Sequence, residues 1–450
     1  MIAPMAADRS EPDTPERPLG SAHVASVVVG AIIGVGIFFT PATLARAVPT
    51  PGWVLGIWVL GAVAALTGAL VFADLGARWP RAGGMYVFLR EGFGGGLGQA
   101  LSFLYGWLQL LVVQPGAMAV IALVLVDNVA YLTGPLPPVV RAGAACVAIA
   151  TFTGANLLGL RAGGAIQIGM AIAKLGALGA IVLVGVVWGR ADQVLEHSRT
   201  DAPPGAVGTW LVLGLVPVLF TFGGAYHATF VGGAVKDPAR AIPRGLAIGI
   251  AAVLVAYLTV NVAYLALLGH GRLAASSSPA ADAVAVALGP AAGKVLAGAI
   301  VVSAAGILNT VCLGFPFVVY AMAKDGVFFA RAGRLDPRTG RPALAVALQG
   351  GLACAAVLVG ASRIDVLLTG IAFADAIFQA AVALVHLRAG LSRFAPRVAA
   401  ITFLVIEVGV GLGSLVRAPR ESAAGAIALV VGVLVWLARR GGWGSRREER

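Results

Sequence analysis

Three ionisable side chains lie inside long apolar stretches, where they are candidates for binding ions or protons. Lys174 lies in MAIAKLGALGAIV, Asp375 in GIAFADAIFQ and Glu407 in FLVIEVGVG. A charge at the centre of a bilayer costs at least about 2.5–3.5 kcal/mol on insertion scales, so these residues are expected to face the protein interior. Lys174 is too far from either end of its stretch for the ammonium group to reach water easily. Lys174 is therefore a candidate for a functional role. Asp375 is the better candidate for a proton relay, with pairing to a base as the alternative, whereas Glu407 is expected to serve packing or subunit contact.

Two other apolar stretches are interrupted by glycine and proline at corresponding positions. The first, residues 27–41, reads VVVGAIIGVGIFFTP, and the second, residues 217–233, reads PVLFTFGGAYHATFVGG. Glycine costs about 1 kcal/mol in a helix interior, so these clusters indicate that both helices break in mid-span. The alternative is that Gly30 and Gly34 form a GxxxG pattern that only lets two helices approach closely. Breaks at matching places in two halves of a chain favour the first interpretation.

A helix that breaks inside a membrane exposes backbone groups that can bind a ligand. Unpaired N–H and C=O groups are tolerated at that depth only where they line a cavity or a ligand. The N-terminal end of a half-helix carries N–H groups and positive dipole charge, which suit a carboxylate. The C-terminal end presents carbonyl groups, which suit an ammonium. A zwitterion held between two broken helices is therefore the expected occupant.

The composition indicates which elements must hold these groups. Of the 450 residues, 59% are hydrophobic and only 12% are charged, against about 25% charged in soluble domains. This balance excludes a cytoplasmic enzyme, a nucleic-acid binder and a disulfide scaffold, and it indicates an all-α polytopic membrane protein. Since a membrane-spanning helix needs about 20 mostly apolar residues, we predict twelve spans. They lie near residues 22–47, 53–77, 97–126, 137–157, 163–188, 209–232, 244–269, 291–322, 343–361, 364–387, 398–416 and 422–438.

The basic residues predict how the spans are oriented. The net charge of +12 comes mainly from Lys and Arg in the segments on one side of the twelve spans. Under the positive-inside rule that side is the cytoplasm, so both termini are expected there. The predicted organisation is a disordered tail at 1–18, one transmembrane domain at 19–440 (repeat one about 22–188, repeat two about 209–387, extra helices about 398–438) and a basic tail at 441–450.

Five motifs occur in an order that is similar to a known family. They are GVGIFFTP at 34–41, DLGARWPRAGGMY at 74–86, FTFGG at 220–224, KDPARAIP at 236–243 and AKDG at 323–326. Together they resemble the motifs of the amino acid–polyamine–organocation (APC) superfamily of permeases. The predicted number of spans agrees with that family over nearly the whole chain.

The resemblance implies a LeuT-like fold and amino acid transport by alternating access. In such a fold a 5+5 inverted repeat has broken first and sixth spans, and here two C-terminal helices follow it. The resemblance places the substrate carboxylate at the first break and the amino group at the second, with Phe220 as a gating aromatic ring. The residues so assigned are Ile33, Gly34, Val35, Gly36 and Ile37 at the first break, and Phe220, Thr221, Phe222, Gly223, Gly224 and Tyr226 at or just beyond the second.

The resemblance also implies a role for Lys174. In sodium-independent members of the family, a lysine of the fifth span takes the place of a sodium ion beside the broken first span. Ser303, in the eighth span, is then expected close to the same cation site. The alternatives are a structural pairing of Lys174 with a carbonyl group or a helix end, and a Ser303 hydroxyl bonded within its own helix.

These observations predict a sodium-independent secondary transporter of amino acids in the plasma membrane, working by exchange or proton symport. A cationic substrate would need an acidic residue in its pocket, and none lies near the proposed site, so a neutral or apolar amino acid is expected. A polyamine or another small amine is the alternative substrate. An intramembrane enzyme is disfavoured because the sequence has no H-E-x-x-H or G-x-S-x-G motif. We expect no catalytic residue, cofactor, metal site or nucleic-acid partner, and the sequence shows no partner subunit.

Two further groups of residues are expected to have structural roles. Tyr86, Phe88 and Arg90 follow the second span, where aromatic and basic side chains commonly anchor a protein at the membrane interface. His227 lies just past the second break and is expected to be a hydrogen-bonded wall residue rather than a pH-sensing group.

Overall fold

In the computed structural model of the protein, the described part of the chain is mainly helical. The structure describes residues 20–79, 84–159, 164–195, 207–224, 238–324, 326, 328–360, 363–390 and 394–443. These ranges contain no β-strand. The predicted tail at 1–18 lies outside the described residues, as does the predicted basic tail beyond Trp443.

Eighteen α-helices follow one another in the described ranges. They are α1 (Ser21–Ile32), α2 (Gly36–Ala47), α3 (Pro51–Arg78), α4 (Met85–Phe93), α5 (Gly95–Leu108), α6 (Gln114–Thr133), α7 (Pro138–Leu157), α8 (Gly164–Trp188), α9 (Ala191–Leu195), α10 (Val207–Phe222), α11 (Pro238–Ala275), α12 (Pro279–Leu288), α13 (Pro290–Gly314), α14 (Pro316–Lys324), α15 (Ala343–Val359), α16 (Ile364–Arg388), α17 (Phe394–Arg417) and α18 (Pro419–Trp443). A π-helical turn, Gln109–Val113, joins α5 to α6, and a 3₁₀ turn, Ala330–Gly333, follows α14.

Several of these helices, some of them taken together with a neighbour, are long and apolar enough to cross a membrane. Among the described residues eight helices meet that requirement, and the bent pair α1 and α2 makes a ninth. Three more of the predicted spans are described as shorter apolar helices, at Ile172–Trp188, Val207–Phe222 and Ala343–Val359. The prediction of an all-α polytopic membrane protein is therefore confirmed.

The first span breaks where its glycines predict. α1 ends at Ile32 and α2 begins at Gly36, and the two helices are bent by 59°. Ile33 has an extended backbone conformation (φ −68°, ψ 94°), which interrupts the i→i−4 hydrogen bonding of the helix. In the other interrupted stretch α10 ends at Phe222, and residues 225–237 of that stretch and of the loop after it lie outside the described residues.

The helix α12 has no counterpart among the predicted spans. It has ten residues, too few to cross a bilayer, and a search by span length therefore passes over it. Ala280, Ala281 and Ala283 are fully buried on it, and the helix packs against α2, α8, α11 and α13. It therefore belongs to the packed body of the protein.

Two clusters of buried apolar side chains hold the helices together. The first cluster includes Phe103 and Phe378, and it connects helix α3 with helices α6, α13, α15 and α16. The other includes Trp58 and Tyr257 and joins α1, α2 and α3 to α8 and α11. Large apolar side chains on the periphery, such as Val186 at 78% exposure, suit contact with lipid.

The prediction that Tyr86 and Phe88 anchor the chain at the membrane interface is wrong. Both rings are buried in the first cluster, because the segment forms α4 and that helix packs against α5 and α16. Gly84, with a φ of 50°, makes the turn that directs α4 back onto the protein. Arg90 remains half-exposed at the end of α4, with its guanidinium 5.9 Å from the Tyr86 ring centre.

Candidate functional site

The break in the first span frees the last carbonyl groups of α1. The final four carbonyl groups of an α-helix have no intrahelical partner and need other donors. Lys174 of α8 supplies one, because its Nζ donates to the Gly30 carbonyl oxygen at 3.2 Å and to that of Ile33 at 2.7 Å. The Tyr257 hydroxyl of α11 donates to the Ile32 carbonyl oxygen at 2.9 Å. A cation and a phenol therefore bind the negative end of this half-helix.

A second tyrosine of α11 reaches the start of the other half-helix. The Tyr264 hydroxyl donates to the Ile37 carbonyl oxygen at 3.5 Å. Tyr257 and Tyr264 are seven residues apart, and therefore lie about two turns apart on one face of α11. That face follows the broken span across its break, and both tyrosines are fully buried.

The end of α10 lies against the same break. Phe222 is its last helical residue, and Gly223 donates from its N–H to the Phe220 carbonyl oxygen at 3.2 Å. Gly224 is so close to α1 that a Cβ atom there would overlap the Ala31 carbonyl oxygen. Because the obstacle is backbone, only glycine fits at position 224 without movement of one of the two segments.

The half-helix α2 packs directly on α10. A Cβ atom at Gly36 would lie 2.6 Å from Thr221 Oγ1, which is too close for any residue but glycine. The Thr221 hydroxyl donates to the Pro217 carbonyl oxygen at 2.8 Å. One helical turn beyond Gly36 in α2, the Phe39 and Phe220 rings are in contact, with centroids 6.2 Å apart.

An aromatic cluster supports α10 from behind. The Phe222 ring lies 5.9 Å from that of Trp58 and 5.6 Å from that of Tyr257, in edge-on arrangements. Trp58 and Tyr257 also contact each other at 5.1 Å. Aromatic pairs in these geometries contribute about 0.5–1.5 kcal/mol each beyond their buried area, so the cluster fixes the position of α10 relative to α3 and α11.

The structure thus brings the predicted residues of the two interrupted stretches together, from Ile33 to Ile37 and from Phe220 to Gly224. Val35 is buried. Its neighbour Gly34 faces Ile307 of α13, because an ideal Cβ atom at Gly34 would lie 3.7 Å from Ile307 Cδ1. Tyr226 and His227 lie outside the described residues.

Ser303 is buried on the same helix as Ile307, about one turn away. It is 2% exposed, and its hydroxyl has no hydrogen-bond partner in the described structure. No hydrogen bond connects Ser303 to Lys174 among the described residues. The predicted proximity of the two residues to one cation stays a prediction.

Asp375 is hydrogen-bonded to residues outside the two interrupted stretches. Its carboxylate accepts hydrogen bonds from Gln109 and Gln379, and Glu407 is buried on α17, which packs against α16. The sequence indicated both carboxylates, but neither glutamine, because a buried amide has no distinctive pattern in an apolar stretch.

A cavity of about 580 Å³ opens on one side of the α2–α10 contact. Phe39, Val216 and Pro217 line its apolar part, and basic and acidic side chains line the rest. Arg46, at the end of α2, donates to the carbonyl oxygens of Ala274 at 2.9 Å and Ser276 at 3.2 Å. We call this space the Arg46 cavity.

Most charges of the Arg46 cavity are paired. Arg141 forms a two-pronged ion pair with Asp127 at 2.5 and 2.8 Å, and Arg363 pairs with Asp365 at 2.5 Å. The hydrogen bond and the charge of Asp365 raise the pKa of Arg363 above its ordinary value. Sequence reasoning missed these residues because they fall at helix ends, where basic side chains are common and carry no distinctive signal.

Comparison with known proteins places these elements in a family. The amino acid permease family matches residues 19–406, which include both interrupted stretches, Lys174, Ser303 and Asp375. The serine/threonine exchanger SteT of Bacillus subtilis (strain 168) is 28% identical over 354 residues, or 76% of this chain and 77% of that protein. The b(0,+)-type amino acid transporter 1 of Mus musculus is 28% identical over 342 residues, or 74% of this chain and 68% of that protein. The Asc-type amino acid transporter 1 of Mus musculus is 30% identical over 278 residues, or 59% of this chain and 50% of that protein.

Proposed function

Because the chain belongs to the amino acid permease family, we propose that it is a secondary transporter that carries neutral or apolar amino acids by alternating access. Its relatives are amino acid transporters, which supports amino acid transport by this chain and a role other than catalysis. Exchange and proton symport are the two proposed modes, both without sodium.

The observation that carries this proposal is the contact of the broken first span with the end of α10, beside Lys174. The N–H groups of Gly36 and Ile37 begin α2, and the first N–H groups of a helix lack intrahelical partners. Together with the positive end of the helix dipole they suit a substrate carboxylate. The carbonyl groups at the end of α10 suit its ammonium group. The assigned residues of both stretches, with Tyr226 beyond them, form the proposed site.

The absence of sodium dependence rests on Lys174. Its ammonium group is bonded to two carbonyl oxygens that the break frees, and carbonyl oxygens are the ligands that a hard cation would use. A fixed positive charge there makes a bound sodium ion unnecessary. Ser303 is proposed as a neighbour of this site.

A neutral substrate follows from the side chains around the break. Ile33, Phe39, Phe220 and Ile307 are apolar. Of the acidic residues that line the adjoining Arg46 cavity, Asp127 and Asp365 are already paired with arginines. Such surroundings offer no partner for a cationic side chain. The name of one relative, a serine/threonine exchanger, is consistent with a small neutral amino acid.

The topology is part of the same proposal. Both termini are assigned to the cytoplasm and the chain to the plasma membrane, supported by the distribution of basic residues. The chain is proposed to act without a partner subunit, so purified protein should be sufficient for transport.

The test is counterflow by the purified chain in liposomes. Vesicles are loaded with unlabelled serine, threonine, alanine or leucine, and entry of the labelled amino acid is followed without any ion gradient. Accumulation that is equal in sodium-free and sodium-containing buffer is the expected result. Failure to accumulate any neutral amino acid, with protein recovered folded from the same vesicles, would refute the proposal. Vesicles loaded with a polyamine test the alternative substrate.

A further inference from the structure

A cluster of polar side chains lies where α16 meets α17 and the π-helical turn. Asp375, midway along α16, accepts a hydrogen bond from Gln109 Nε2 to its Oδ1 at 3.0 Å and from Gln379 Nε2 to its Oδ2 at 3.4 Å. Gln109 lies on the π-helical turn, and its own Oε1 accepts a hydrogen bond from Gln114 Nε2 at 3.1 Å. Glu407, on α17, is 7% exposed.

The two carboxyl groups lack a counter-charge. Within the described parts of the chain neither Asp375 nor Glu407 pairs with a lysine, arginine or histidine. Their helices pack closely here, because an ideal Cβ position at Gly411, one turn after Glu407, lies 3.3 Å from the Cβ atom of Ala376. Two neighbouring carboxylates in low-dielectric surroundings cannot both be ionised at low cost. Protonation of one of them removes this cost.

The other ionisable groups on the surrounding helices lie mostly towards helix ends, whereas Asp375 lies midway along α16. The Tyr105 and Phe378 rings pack together with their centroids 5.5 Å apart. Tyr105 thus brings a phenol, and no carboxylate or basic group, to this region. The charged residues of α18 fall in its first and last turns. On the remaining helices packed against α16 and α17, the charged residues near helix ends include Asp74 and Arg78 on α3, Arg90 and Glu91 on α4, and Asp127 on α6.

An unsatisfied amide oxygen indicates which atom takes the proton. Gln379 is 8% exposed and its Oε1 has no donor in the described structure. A half-turn of this amide exchanges its nitrogen and oxygen, and its oxygen then accepts a hydrogen bond from a protonated Asp375 Oδ2. Gln109 cannot turn in the same way without directing its amide nitrogen at that of Gln114. Oδ1 therefore remains an acceptor, and Oδ2 is the oxygen that can donate.

We propose that Asp375 and Glu407 form an intramembrane proton-binding site that holds one proton, with Asp375 Oδ2 as the donor to Gln379, and that this proton is coupled to amino acid movement. The inference rests on the proposed transport function and selects proton symport as its mode. It assigns to Glu407 a share of the site, where the sequence suggested packing.

Proton binding is tested without transport. Infrared difference spectra of the purified chain in lipid, between acidic and alkaline buffer, report the C=O stretch of a protonated carboxyl group and its shift in D₂O. A band is expected that disappears in Asp375→Asn and changes in Glu407→Gln. Asp192→Asn is the matched control, because Asp192 is an exposed carboxylate paired with Arg190 and its removal should leave the band unchanged. Identical spectra for the wild type, Asp375→Asn and Glu407→Gln would overturn the proposal.

Coupling is tested by a pH gradient across the same liposomes. With one proton per amino acid, one pH unit sustains about a tenfold accumulation. Asp375→Asn and Glu407→Gln are expected to lose this accumulation. The fold-decrease in gradient-driven uptake should exceed the fold-decrease in counterflow by at least about tenfold. Asn and Gln keep the shape of the side chains they replace, and if one variant does not fold the other carries the test.

The outcomes separate this proposal from the proposed function. Counterflow without any response to the gradient, or equal accumulation by wild type and variants, overturns the proton site and leaves amino acid transport standing. Absence of counterflow in the wild type overturns transport and with it the coupling, and the infrared band then tests proton binding alone.

Discussion

The side chains of Thr40 and Thr221 are joined by a hydrogen bond of 2.7 Å between their hydroxyl oxygens, which links the half-helix α2 to α10. Thr221 donates its own proton to the Pro217 carbonyl group, so Thr40 is the donor to Thr221. Both residues are buried. Because Gly36 contacts the same threonine, the two interrupted stretches meet without space between them, and any separation of α2 from α10 must break this contact.

A methyl group added at Gly36 should disturb that contact. Gly36→Ala puts a Cβ atom 2.6 Å from Thr221 Oγ1, and overpacking of this kind costs about 1–3 kcal/mol. We expect a lower melting temperature for the detergent-purified chain and slower counterflow. Gly298→Ala is the control, because a Cβ atom there meets nothing within 4 Å. Equal melting temperatures for the two variants would contradict the tight contact.

Removal of the Lys174 ammonium should abolish uptake. Lys174→Ala leaves the Gly30 and Ile33 carbonyl oxygens without their donor, and an unsatisfied buried group costs about 1–3 kcal/mol. We expect loss of counterflow in a variant that still purifies as a folded protein. Lys294→Ala, at an exposed lysine of α13, should behave as wild type. Undiminished transport by Lys174→Ala would exclude the proposed role.

Loss of Arg46 should loosen the segment that precedes α12. The guanidinium holds the Ala274 and Ser276 carbonyl groups, and hydrogen bonds to a charged group contribute about 1.5–3 kcal/mol. In Arg46→Ala we expect amide hydrogen exchange in Pro279–Leu288 to become at least about tenfold faster. Arg272→Ala is the control, because Arg272 donates to Leu268 within its own helix. Unchanged exchange in Arg46→Ala would show that α12 is held by packing alone.

Cationic amino acids should compete poorly for the site. The apolar surroundings of the break offer no carboxylate to a second positive charge, whose burial without a partner is unfavourable. In counterflow with labelled alanine or leucine, unlabelled arginine at the same concentration should leave uptake unchanged, whereas unlabelled leucine should reduce it. Displacement of the label by arginine would contradict the prediction of a neutral substrate.

The sequence predicted those features that depend on residues close together in the chain. Glycines at 30, 34 and 36 predict a break, and the structure has one at residues 33–35. A lone lysine in an apolar stretch must find polar partners at the same depth, and the freed carbonyl groups beside Lys174 are such partners. Its role in place of an ion stays a prediction.

The sequence alone did not predict contacts between segments that lie far apart in the chain. Arg46 and Ala274 are 228 residues apart, and nothing in either segment specifies that pairing. Tyr86 and Phe88 looked like interfacial anchors because the pattern of aromatic and basic residues is the same for a loop at the interface and for a short helix folded onto the core. α12 was missed because its ten residues fall below the length by which spans are recognised.

The π-helical turn Gln109–Val113 contains one residue more than regular α-helical winding would place there, and the phase of the helix before it depends on that insertion. Deleting one residue within the turn would rewind it and rotate the α5 side by about 100° relative to α6. Gln109 would then leave the side of the helix that faces Asp375. The register of this cluster is thus set by the length of the chain, and it is sensitive to a deletion that removes none of its polar side chains.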